Sequence, residues 1–165
     1  MRFAPAAAAL SLCLAMTASI SMAGDTRAPD PRAAALIAQG QAELTAGETQ
    51  AAIDAFEAAL ALDPGHTPIF IDLAEAARQS GLQGKAIRYY REALERDPGN
   101  FAAIAGEGSA LVEKGALEKA KRNLAKLQSL CGDACPETVA LQSTIARGVP
   151  ARLAADTATD GAAAN

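Results

Sequence analysis

The chain has 165 residues, 19 acids against 15 bases, a net charge of −4, half its residues hydrophobic and only 4% aromatic. A negative balance with few rings to stack on bases argues against a nucleic-acid partner, which needs a basic face or aromatic platforms. The length suits one domain of ordinary size.

The first predicted element stands apart from any fold. Arg2 precedes an apolar run from about Ala6 to Ile20, and Ser21-Met22-Ala23 then places small residues where a signal peptidase reads. Residues 1–23 are therefore expected to be a signal peptide cleaved before Gly24. The run is short for a span of about 20 residues, so no stable membrane insertion is expected after cleavage. A lipidated Cys13 is the alternative, although Leu10-Ser11-Leu12 puts a leucine where a small residue belongs. The mature chain is expected in the bacterial periplasm, with secretion as the alternative. Residues 24–32, with two prolines and two aspartates before Arg32, read as a leader.

From Ala33 on, the chain repeats. Gly47, Gly81 and Gly115 stand 34 residues apart, each followed at five residues by Ala52, Ala86 or Ala120 and at nine by Phe56, Tyr90 or Leu124. Seven residues before each comes Gly40, Ala74 or Gly108. Leu62 to His66 and Arg96 to Asn100 close the first two units with Asp-Pro-Gly turns, in which proline stops one helix and glycine lets the chain reverse. Apolar residues such as Ile53, Phe56, Leu60 and Ile87, Tyr90, Leu94 recur at helical spacing. A fixed period of this length predicts an all-α solenoid of helix-turn-helix units at 33–66, 67–100 and 101–134, none able to bury its apolar face alone. The small residues are expected where the two helices of a unit cross, glycine facing alanine.

Residues 136–147 read as a capping helix, opened by Pro136 and closed by Gly148. Gln142 stands there in place of a small residue, as a helix with no partner allows. Residues 149–165 are too poor in large apolar side chains to offset their ordering entropy and are expected to be a disordered tail.

These residues resemble the tetratricopeptide repeat family, whose motif places small residues at positions 8, 20 and 27, an aromatic at 24 and proline at 32. Unit one supplies Leu36, Gly40, Ala52, Phe56, Ala59 and Pro64, and unit two Phe70, Ala74, Ala86, Tyr90, Ala93 and Pro98. Unit three supplies Ile104, Gly108, Ala120 and Leu124, then departs with Leu127 and Gly132. The resemblance implies a right-handed superhelix that binds a protein or peptide on its concave face, without catalysis or cofactor. It places Ile37, Gln41, Leu44, Ile71, Glu75, Arg78, Ser109 and Val112 on that face. The family's carboxylate clamp is missing, because Ile37, Gln41, Asp72, Ala102 and Gly106 occupy its places. The groove is therefore expected to be apolar at its centre, with one acid and one arginine. The rival reading is that Ile37, Leu44 and Ile71 serve packing between A helices.

After cleavage two cysteines remain, in Cys131-Gly-Asp-Ala-Cys135, at the junction that lacks Asp-Pro-Gly. In an oxidising compartment the expected role is a structural disulfide. The alternative is a thiol-redox or copper-handling role for Cys131 and Cys135. No metal site is expected, and His66 reads as a solvated turn residue. No nucleophile, base and orienter set is present, so no enzyme is expected. The basic stretch from Lys85 to Lys126 reads as a solvated face with intrahelical pairs Arg88–Glu92 and Arg91–Glu95.

Overall fold

Three glycines divide the chain into hairpins. Gly47, Gly81 and Gly115 have φ of 83°, 75° and 80°, a left-handed conformation that costs a residue with a Cβ but not glycine. At the first, the Gly47 N–H donates to the Leu44 carbonyl at 3.1 Å and the Glu48 N–H to the Glu43 carbonyl at 2.9 Å, so the last carbonyls of the helix are satisfied as the chain turns away. The same two bonds recur after Gly81 and Gly115.

The computed structural model describes residues 27–148. Six helices, α1 (Pro31–Thr45), α2 (Thr49–Leu62), α3 (Pro68–Gln79), α4 (Gln83–Arg96), α5 (Phe101–Glu113) and α6 (Leu117–Cys131), form three antiparallel pairs, and α7 spans 136–148. There is no strand among the described residues, and none of their helices is long and apolar enough to cross a membrane. The expected signal peptide, the start of the leader and the tail lie outside the described residues. The leader ends sooner than its sequence implies. Pro31 and Arg32 already belong to α1, because the Asp30 side chain accepts from the Arg32 N–H at 2.8 Å and caps the helix.

Asp63, in the first Asp-Pro-Gly turn, holds that entry in place. Its carboxylate accepts from Arg27 at 2.6 Å and from the Asp30 N–H at 3.0 Å, and these two bonds keep its pKa below the usual carboxylate value. His66 in the same turn is buried at 7% exposure, which corrects the expectation of a solvated residue. The turn brings it beside Asp63 instead of leaving it at a rim.

Large side chains seat on glycines across the helix crossings. A Cβ on Gly40 would lie 2.6 Å from Cε1 of the fully buried Phe56, so the close approach in unit one is ring on glycine, not only glycine on alanine. Gly108 meets Leu141 of α7 in the same way, at 2.6 Å. The ring of Tyr90 lies against Gly106, the first residue of a pair whose sequence gave a packing reason only for Gly108. Two apolar clusters result, one around Phe56, Ile69 and Leu73 and one around Tyr90, Ile104 and Leu141.

The backbones of successive A helices approach one another, α1 with α3 and α3 with α5, whereas those of α2, α4 and α6 stay apart and only side chains cross, Tyr89 and Lys85 of α4 reaching Glu57 of α2 at 3.2 and 3.4 Å. The stack therefore bends toward the A side and makes that side concave. The basic stretch on the B helices pairs differently from expectation. Arg91 reaches Glu107 of the next unit at 2.7 Å, and Glu92 pairs with Arg96 at 3.1 Å, because the buried Glu107 also holds Asn123 at 3.0 Å and draws the guanidinium across.

Gly40→Ala is expected to destabilise the protein by roughly 1 to 3 kcal/mol through overpacking, and Phe56→Ala by roughly 3 to 5 kcal/mol through the cavity left behind. Urea unfolding measures both. The Gly40→Ala, Phe56→Leu double variant should recover part of the first loss, since the two side chains compete for one space.

Candidate functional site

The phase of the repeat sets which side chains reach the concave face. Positions 2, 5, 6, 9 and 12 of each A helix point there, and positions 4, 7, 8 and 11 point inward. The burial agrees in α3, where Phe70, Leu73, Ala74 and Ala77 are buried while Ile71, Asp72, Glu75 and Arg78 are half-buried. It agrees again in α7, where Thr138, Leu141 and Ile145 are buried and Gln142, with no partner helix against it among the described residues, is exposed.

The eight residues assigned to the face do not form one patch. Ile37 and Leu44 are half-buried and pack on the cluster around Phe56, while Ile71 and Val112 pack on the cluster around Tyr90. These side chains thus divide their surface between core and groove, and the packing role is real. Gln41 is exposed and Ser109 half-buried. Arg78 and Val112 come together with Lys114, Leu117, Thr144 and Arg147 around a cavity of about 660 Å³ where α3, α5 and α7 end.

Glu75 and Arg78 satisfy each other. Arg78 donates from Nη2 to Glu75 at 2.8 Å, from Nε at 3.1 Å and from Nη1 to Glu113 at 2.7 Å, and the Tyr90 hydroxyl donates to Glu75 at 3.1 Å. Burial raises the pKa of Glu75, but the bonds and charge of Arg78 outweigh it and hold the carboxyl below its usual range. For Tyr90, burial and the Glu75 charge both raise the pKa. The network riveting α3, α4 and α5 depends on Gly106, which makes room for the tyrosine ring.

Asp72 has no such counterpart. Its one hydrogen bond comes from Gln41 Nε2 of α1, at 3.5 Å. Among the described residues no lysine or arginine pairs with it, and burial pushes its pKa up to about 6 against the weak opposing pull of Gln41.

The sequence reading left α7 out of the groove. Ala102 on α5 and Val139 and Ala140 on α7 are exposed, with Val139 at 52%. Residues 136–147 read as a cap alone, yet the 34-residue phase carried through Cys135 places Val139 at the same position as Ile37, Ile71 and Ala105.

At the junction before α7, Cys131 and Cys135 stand as a disulfide pair with Cα atoms 5.7 Å apart. The buried Thr138 hydroxyl lies 3.6 Å from the Cys131 sulfur and can donate to it.

Two sequence models of the tetratricopeptide repeat match the chain, over residues 33–76 and 71–121. No curated protein matches the sequence. Among solved structures the chain is similar to the TPR domain of Sgt2 from Aspergillus fumigatus, with 24% identity, 79% of this chain and 85% of that one covered and a TM-score of 0.67. It is also similar to the first TPR of Spaghetti (RPAP3), solved with an HSP90 peptide, at 19% identity, 72% and 94% coverage and a TM-score of 0.64. The type III secretion chaperone SycD of Yersinia enterocolitica, solved with a peptide of the translocator YopD, gives 22% identity, 72% and 89% coverage and a TM-score of 0.61.

Asp72 should cost stability whenever it is ionised. Its folded pKa of about 6 lies above the ordinary 3.8, so the folded state takes up a proton first and the penalty fades as pH falls from about 6 to about 4. Asp72→Asn is expected to stabilise the protein at pH 7 by on the order of 1 kcal/mol, with the open side of the groove limiting the effect. Thermal melts across that pH range should show the gain vanish at the acid end.

Proposed function

We propose that this chain, which belongs to the tetratricopeptide repeat family, is a non-catalytic adaptor of the bacterial periplasm that holds a protein or peptide segment along the concave face of α1, α3, α5 and α7. The observation that carries the reading is the floor of that face. Ala102, Val139 and Ala140 are exposed on neighbouring A helices beside half-buried Ala105, Gly106 and Ser109, which leaves room for a ligand's side chains. Similar folds solved with peptides from HSP90 and from YopD support a peptide ligand for this one. The periplasmic assignment rests on the signal sequence at 1–23, and it makes the Cys131–Cys135 bridge a structural tie between the last repeat and α7.

Protein recovered from an oxidising compartment should begin at Gly24 and contain no free thiol at Cys131 or Cys135, as intact-mass measurement and thiol titration report. A chain beginning at lipidated Cys13 would contradict the soluble periplasmic assignment, and titratable thiols in the native protein would favour the redox reading.

For the groove, crosslinking in cells followed by mass spectrometry identifies what is held. Val139→Asp should weaken capture by on the order of 2 kcal/mol if that residue anchors the ligand, while melting stays nearly unchanged because half of the side chain is already in solvent. Unchanged capture by this variant, with capture abolished by Lys121→Gln, Arg122→Gln on α6, would move the site to the convex face.

A further inference from the structure

From α1 to α5 the concave positions carry two carboxylates, Asp72 and Glu75, against one cation, Arg78, with Glu113 at the end of α5 adding a third acid beside them. Arg78 is spent on Glu75 and Glu113, with all three of its bonds between 2.7 and 3.1 Å. The remaining carboxylate stands midway along the groove wall between α1 and α3. A glutamine amide at 3.5 Å is its single partner, and it cannot neutralise a charge. We infer, building on the groove reading above, that Asp72 is the counter-charge for a lysine or arginine of the bound segment, so that the partner is a peptide with one basic side chain between small apolar ones.

Three observations converge on this occupant. The charge of the groove wall is complementary to a cation and repels the terminal carboxylate of a peptide. The floor that continues from it over α5 and α7, with Ala102, Ala105, Gly106 and Val139, has no polar reach apart from Ser109, so the residues flanking the basic one must be apolar. Asp72 is also partly desolvated without compensation, a state that lowers stability and is retained where a ligand supplies the missing partner. Gln41, exposed on α1, can turn its carbonyl to the same cation. Charge of this kind sets selectivity among partners more than raw affinity.

The test uses the full mature chain and fluorescent Ala/Leu peptides that differ at one central residue, arginine, citrulline or glutamate, with anisotropy as the readout. Citrulline keeps the shape of arginine without its charge. The arginine peptide is expected to bind about tenfold more tightly than the citrulline peptide, equivalent to ~1.4 kcal/mol, and the glutamate peptide more weakly still. Asp72→Asn should erase the preference between arginine and citrulline while the variant melts no lower than the parent at pH 7. Lys121→Gln, Arg122→Gln should preserve it. Equal binding of the arginine and citrulline peptides by the parent overturns the charge inference and leaves the groove standing, provided Val139→Asp weakens both. Peptide binding that Val139→Asp leaves intact overturns the groove reading and the inference with it, as does failure of every peptide to bind at millimolar concentration.

Discussion

The array depends on large side chains seated directly on glycine. Phe56 on Gly40, Tyr90 near Gly106 and Leu141 on Gly108 bring helices closer than two ordinary side chains would allow. Phe56 acts within its own unit, Leu141 ties the cap to the last unit, and Tyr90 works across units. The same kind of contact therefore closes hairpins and stacks them. Leu141 on Gly108 joins two A-side helices directly, and with the backbones of α1, α3 and α5 in contact while those of α2, α4 and α6 stay apart, the A side is concave.

Tyr90 joins packing to electrostatics. Its ring needs the space left by Gly106, and its hydroxyl ends on Glu75, which Arg78 holds from the other side and links to Glu113. A polar network this complete fixes α3, α4 and α5 relative to one another, and it removes from ligand binding the only cation at the concave positions of those helices. The groove is left acidic at Asp72 and apolar around it. What that face can offer a ligand thus follows from what the scaffold has already consumed.

The C-terminal end solves a different problem. A solenoid must stop, and its last face must be covered without inviting another unit. Leu141, Thr138 and Ile145 of α7 cover unit three, and Gln142 replaces the small residue that a further helix would require. The Asp-Pro-Gly turn of the earlier junctions is replaced there by Cys131 and Cys135, a covalent closure of the same bend. In continuing the A-side row, α7 does more than cap, since it supplies Val139 to the groove.

What the sequence determined by itself was periodicity and everything that depends on backbone rules. The left-handed turns at Gly47, Gly81 and Gly115, the helical spacing, the buried positions and the cap at Gln142 are local or phase-locked, and so could be read from a single chain. The tertiary structure decided which side chains spend their interactions on one another. Arg78 looked available to a ligand until Glu75 and Glu113 closed around it, Arg91 chose Glu107 of the next unit over its own helix, and Ile71 proved shared with the core. Such choices turn on a few ångströms between residues 15 to 35 positions apart. Helical spacing within one element carries no record of that distance, which is why the phase of the A helices was legible in the sequence and the pairing of their charges was not.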